Sequence, residues 1–228
     1  MESTSEQVKS LYPFLHGGRK DEASENVALL NSVSEKVSAS VDVKTKFFEK
    51  NAAALIETAK AIAQIYSRNN RLYVMGNGGS SCDAAHLAVE FQHPVTTGRP
   101  SLPAINLCVD TAMLTAVAND LGEKHIFVRQ ICALGAAGDG LVGFSTSGNS
   151  DNLIGAFRKG KELGLTTIGF VGGDGGAMQS TDLLDHCLVV ETDSIHRIQE
   201  THVTCYHILW DLVHTLLADD RGLGRKKL

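Results

Sequence analysis

The sequence predicts an α/β protein in three layers, αβα: a five-stranded parallel sheet with helices on both faces and helices at its N-terminal side. Three observations point there. Beyond Arg71, five short apolar runs alternate with loops and amphipathic stretches. Glycine (22 residues) far outnumbers proline (4), which suits tight loops and uninterrupted helices. The 228 residues, 43% hydrophobic and 21% charged, match one ordinary globular domain, long enough to bury roughly 70% of its unfolded surface.

The elements follow in order. Residues 1–25 are polar, carry Gly17-Gly18-Arg19-Lys20, and read as an N-terminal extension with a short helix at Glu6–Phe14. From Asn26 to Arg68, Val27, Leu30, Val33, Val37 and Val41 recur at helical spacing, as do Ala54, Ile56, Ala59, Ile62 and Ile65. Two long helices or one broken helix fit that pattern. Strands are expected at Leu72–Met75, Ala104–Leu107, Leu141–Phe144, Thr166–Val171 and Cys187–Val190. Helices are expected from the first loop through Phe91, then at Ala112–Val117, Ile126–Leu134, Asp151–Leu163 and Ile195–Leu217. A single domain over 26–220 and a solvated basic tail at 221–228 complete the reading.

Composition excludes several classes. A net charge of −5 argues against a non-specific nucleic-acid binder. The five cysteines are odd in number and form no C-x-x-C pair, and the chain opens with no apolar signal segment, so a secreted disulfide scaffold is not expected. No apolar run reaches the ~18 residues of a membrane span. A reducing cytoplasm is the expected location.

In open parallel sheets, ligands bind at the C-terminal strand ends. Two loops sit there. Gly76–Ser81 joins a strand to a helix with small residues, so backbone N–H groups and a helix N-terminus can meet an anion. It is no P-loop, since no G-K-[ST] follows, and no dinucleotide fingerprint, since Ser81 stands at the third glycine. A tight turn would also use these glycines. Ser145–Ser150 places four hydroxyls in six residues at the same kind of junction. A helix cap at Ser150 or Asp151 explains one or two of them; a phosphate monoester uses all four.

His86 and Glu90 stand at i and i+4, one face of a helix, as a helix-borne metal pair requires. Gln199 and His207 lie eight residues apart on the last helix, about 12 Å along its axis. One ion between them needs both side chains to lean inward, or two subunits. A packed or surface histidine accounts for either His taken singly.

These segments together resemble a known family. Gly76-Asn77-Gly78-Gly79-Ser80, His86-Leu87-Ala88-Val89-Glu90, Ser145-Thr146-Ser147-Gly148-Asn149-Ser150 and Arg197-Ile198-Gln199-Glu200 are similar to the sugar isomerase (SIS) domain, of flavodoxin-like architecture, and within it to the phosphoheptose isomerases. The resemblance runs from about 45 to 217, in order. It implies aldose–ketose isomerisation of sedoheptulose 7-phosphate to D-glycero-D-manno-heptose 7-phosphate through an enediol(ate). It implies one zinc ion per subunit on His86, Glu90, Gln199 and His207, with Glu90 and His207 as the proton-transfer residues. It implies substrate contacts from Asn77, Gly78, Gly79, Ser80, Glu90, Asn119, Asp120, Ser145, Thr146, Ser147, Ser150 and Gln199. It implies a homotetramer with active sites at subunit interfaces, acting on a small sugar phosphate, with neither nucleic acid nor membrane as partner. Two positions depart from the pattern: Pro94 stands where many members have Arg, and His196 where many have Asp. A sister branch, the DnaA-initiator-associating regulators, resembles the chain around Arg99–Ile105 and Ala116–Asp120 and generally lacks the full zinc set. An isomerase or sensor of another phosphosugar is a third reading.

Overall fold

The computed structural model of the chain describes residues 22–96 and 98–222. The helix expected at Glu6–Phe14 and the tail beyond 222 lie outside them. Helix α1, Glu22–Ser67, is continuous over 46 residues, where the periodicity left two helices or a broken one open. It contains neither Gly nor Pro, so nothing interrupts its hydrogen-bond ladder. It also starts inside the stretch read as an extension. The chain divides into two compact units within this helix, at Ala39/Ser40. In the first unit Val27, Leu30, Val33 and Val37 are exposed. In the second, Phe47, Leu55, Ala59, Ile62 and Tyr66 are buried.

From there strand and helix alternate. β1 is Leu72–Gly76, α2 Gly79–Gln92, β2 Ala104–Asn106, α3 Thr111–Leu121 and α4 Ile126–Leu134. β3 is Gly140–Ser145, α5 Asp151–Leu163, β4 Thr166–Gly172, α6 Gly176–Ser180, β5 His186–Val190 and α7 Ile195–Gly222. All five expected strands are present, within a residue of the expected ends. The short helix α6 was not expected; it hides in the glycine-rich stretch after β4. Helix α3 runs longer than expected, and Asp110 caps it by accepting from the Met113 N–H at 2.9 Å.

The strands form one parallel sheet in the order β2-β1-β3-β4-β5. Every residue of β1 and β3 is buried, as expected where helices cover both faces. The pleat sends alternate residues to opposite cores. Leu72, Val74, Val142, Phe144, Ile168 and Phe170 face α1, α2 and α7. Tyr73, Met75, Leu141 and Val171 face α4, α5 and α6. Each fully buried Leu, Ile or Phe contributes roughly 1.5–3 kcal/mol. Sheet growth reverses direction between β1 and β3, and the crevice at such a switch point is where ligands bind. The Gly76–Ser81 loop leaves β1 there and the Ser145–Ser150 loop leaves β3.

Candidate active site

The two loops are joined across the switch point. Asn77 and Asn152 exchange amide hydrogen bonds, each Nδ2 donating to the other's Oδ1 at 2.9 Å. In the first loop, Ser80 N–H donates to the Asn77 carbonyl and Ser81 N–H to the Gly78 carbonyl, both at 3.0 Å. Asn77, Gly78 and Gly79 are exposed, whereas Ser80 is buried. No side chain caps the start of α2; the Ser80 and Ser81 N–H groups are taken by loop carbonyls instead. In the second loop, Ser145 Oγ accepts from Gly148 N–H at 3.1 Å and lies 3.0 Å from Ser150 Oγ. Ser147 Oγ accepts from Asn149 N–H at 3.2 Å. Ser150 occupies the N-cap of α5 and makes no cap bond. The Ser150 hydroxyl is thus no helix cap; Asn152 Oδ1 accepts from the Leu153 N–H of α5 at 3.0 Å instead, and the starts of α2 and α5 border one crevice. A groove of about 720 Å³ borders it, lined by Asn77, Ser150, Asn152 and Lys124.

Helix α6 braces the serine loop from behind. Met178 N–H donates to the Gly148 carbonyl at 2.9 Å and Ala177 N–H to Asn149 Oδ1 at 2.8 Å. Gly148 adopts φ +64°, and a Cβ there would run into the Gly175 carbonyl. This position admits glycine alone.

Two turns into α2 stand His86 and Glu90, with His86 Nε2 3.2 Å from Glu90 Oε1. His207 of α7 joins them: its ring centroid lies 4.9 Å from that of His86. Donor atoms of His86, Glu90 and His207 all lie within 4.8 Å of one another. One chain thus assembles three of the four expected ligands without help from a partner. Gln199, the fourth, hydrogen-bonds to none of the three among the described residues; its amide lies against Gly79, where a Cβ would collide with it. Asn119 and Asp120 are exposed at the end of α3, where Asn119 Nδ2 donates to Asp120 Oδ1 at 2.8 Å.

Two further contacts hold α7 on α2. Tyr206 Oη lies 2.7 Å from His86 Nδ1, and Trp210 Nε1 donates to the Glu90 carbonyl at 2.8 Å. Asp83 is buried one turn before His86, and burial pushes its carboxyl up to about 6 despite the pull of His86. Burial, with the charges of Asp83 and Glu90, pushes the Tyr206 hydroxyl up.

Two imidazoles and a carboxylate converging from two rigid helices are a donor set that zinc accepts, and the outer nitrogen of His86 has the partner that ligating histidines need. The residues present therefore fit a zinc-type ion.

The SIS domain family matches residues 37–172, which include both loops and the His86/Glu90 pair. A phosphoheptose isomerase of Roseiflexus sp. is 39% identical over 188 residues, 82% of this chain and 94% of that protein. This chain belongs to the phosphoheptose isomerase family. Solved structures agree. The phosphoheptose isomerase of Neisseria gonorrhoeae matches with a TM-score of 0.77 at 34% identity, over 82% of this chain and 99% of that one. That of Francisella tularensis matches at 0.78 and 33%, over 82% and 98%.

Set against the phosphoheptose isomerase pattern, the two departures fall at the site's margins. Pro94 is half-buried just past the end of α2, and His196 is exposed in the first turn of α7. Sequence reasoning missed Asn152, Tyr206, Trp210 and the α6 brace. Each acts through a contact made across the fold, and none carries a local signal.

Proposed function

We propose that the protein interconverts sedoheptulose 7-phosphate and D-glycero-D-manno-heptose 7-phosphate, with the phosphate on the two switch-point loops and the reacting carbons beside His86, Glu90 and His207. One observation carries this reading: α2 begins in the first loop and brings the His86/Glu90 pair to His207 two turns later. The seven residues from Gly79 to His86 span about 10 Å of helix, a separation that suits a long phosphosugar held by its far end. The same group disfavours the regulator reading, whose branch generally lacks it.

The chemistry needs a base, an acid and a firm hold on the substrate. Glu90 takes the proton from the carbon beside the carbonyl and returns it to the neighbouring carbon. His207, exposed and adjacent, moves the proton between the two oxygens. Such transfers contribute about 10²–10⁴-fold each. Glu90 Oε1 faces His86, leaving Oε2 for the substrate. His86, Glu90 and His207, with Gln199, would hold a zinc ion, which polarises the carbonyl as a Lewis acid when bound. Ser145, Thr146, Ser147, Ser150 and the Asn77–Gly79 backbone anchor the phosphate, so the reacting carbons stay aligned.

A cytoplasmic homotetramer completes the proposal. The five cysteines are free, no helix among the described residues is long and apolar enough to cross a membrane, and Val27, Leu30, Val33 and Val37 leave an apolar face of α1 open. The test is a proton NMR time course with sedoheptulose 7-phosphate in D₂O, with and without chelator. An aldoheptose anomeric signal that the chelator suppresses, with deuterium entering at C2, is the expected result. No turnover by zinc-loaded protein would overturn the substrate assignment, and turnover indifferent to chelator would overturn the role of the metal.

A further inference from the structure

Tyr206 is 1% exposed, and the only hydrogen-bond partner of its hydroxyl among the described residues is His86 Nδ1, at 2.7 Å. A buried hydroxyl aimed at one ring nitrogen partners it in either tautomer, donating to it when bare and accepting from it when protonated, and a neutral imidazole carries one proton. His86 Nε2 is the nitrogen that faces Glu90 Oε1. We propose that Tyr206 is a positioning residue that holds the His86 ring by Nδ1 and accepts the ring proton there, so that Nε2 presents its lone pair toward Glu90 and His207 when a divalent cation is held there. The assignment rests on reading His86, Glu90 and His207 as a metal site.

The proton count closes with the ring neutral throughout. Without a cation, Nε2–H donates to Glu90 Oε1, and the Tyr206 hydroxyl donates to Nδ1. With a cation at the group, Nε2 must be bare, so the single ring proton sits on Nδ1 and is donated to Tyr206 Oη. The hydroxyl turns from donor to acceptor, and its own hydrogen needs a new acceptor. That hydrogen would turn to Asp83, whose Oδ2 is buried without a partner among the described residues and whose charge acts on the Tyr206 hydroxyl. Outer-shell hydrogen bonds of this kind fix the tautomer and orientation of ligating histidines. The neighbouring contact keeps the register. Tyr206 and Trp210, at i and i+4 on α7, meet His86 and Glu90, at i and i+4 on α2, so the two helices run side by side in the same direction.

The experiment uses the full chain and Zn²⁺. Affinity is read by competition with a chromogenic chelator, and the His86 tautomer by ¹⁵N NMR of histidine-labelled protein. Wild-type His86 is expected to carry its proton on Nε2 without zinc and on Nδ1 with it. Tyr206→Phe is expected to weaken zinc binding by roughly 10–100-fold and to show both tautomers without zinc, while the metal-free protein stays folded with a melting temperature only a few degrees below wild type. Tyr206→Phe protein that binds zinc as tightly as wild type would overturn the assignment. A wild-type tautomer that does not change on zinc binding would overturn it too, without recourse to any variant. Wild-type protein that takes up no zinc would instead overturn the metal reading beneath it.

Discussion

At the scale of single residues, Glu90 and Gly79 separate chemistry from stability. Among the described residues the Glu90 side chain bonds only His86, so Glu90→Gln should leave the melting temperature near that of the parent protein. It should lower kcat by at least about 10²-fold, since an amide cannot accept the substrate proton; near-normal kcat would remove Glu90 from its role as base. Gly79 presents the opposite contrast. A methyl group there meets only the tip of Gln199, a flexible side chain that can swing away. Alanine also costs less chain entropy than glycine to fix in a helix, a small gain at this first helical position. Gly79→Ala should therefore keep or slightly raise stability while lowering kcat/KM through the displaced Gln199. Unchanged kcat/KM would show that the position of Gln199 is immaterial. Ser147 is exposed at the tip of its loop, and Ser147→Ala should raise KM more than it lowers kcat if the hydroxyl holds phosphate equally in ground and transition states.

At the scale of elements, the site is a register problem between two helices. Helix α2 supplies His86 and Glu90, and α7 supplies His207; one step of slippage would part them. Trp210 resists that slippage through its bond to the Glu90 carbonyl and through the Arg99 guanidinium, which stacks 4.4 Å from its ring centroid. Trp210→Phe keeps an aromatic ring and loses the donor. Stability should fall by roughly 1–3 kcal/mol, and zinc affinity should fall with it, as denaturant titration and chelator competition will show. A loss of stability with unaltered zinc affinity would mean that the register is held elsewhere. The serine loop is likewise held from outside, by α6, which explains why a five-residue helix in a glycine-rich stretch matters to the crevice.

At the scale of the whole molecule, two buried groups set opposing pH dependences. Burial pulls His202 down to about 4, against about 6.5 in an unfolded chain. Between those values the unfolded state binds more protons, so stability is lost as pH falls from about 6.5 toward 4. Asp83 is pushed up to about 6 from 3.8. Across that window the native state holds the extra proton, so stability is gained as pH falls. The windows overlap and the effects oppose. Metal-free protein should therefore lose little stability between about pH 7 and 5, and Asp83→Asn should steepen the loss by about 1 kcal/mol at the acid end. Urea midpoints across that range give the comparison; parallel curves for the two proteins would rule out the compensation.

Much of this was legible in the order of residues. Alternation of apolar runs with loops, together with unbroken helical periods, specified a parallel three-layer sheet, because side-chain spacing decides which faces a segment can bury. The His86/Glu90 pair and the two loops were readable because each lies within one local segment. Whether α1 was one helix or two was decided by the absence of any residue able to break it. What the sequence could not express was contact between segments remote along the chain. The Asn77–Asn152 clasp, the α6 brace, the seat of Gln199 against Gly79 and the meeting of His207 with His86 all join residues dozens of positions apart. The strand order β2-β1-β3-β4-β5 brings both loops to one crevice, and the packing of α7 on α2 closes the group of donors beside it. Local sequence determined the elements and the types of ligand; only tertiary packing, which brings distant surfaces together to bury them, made one site of them.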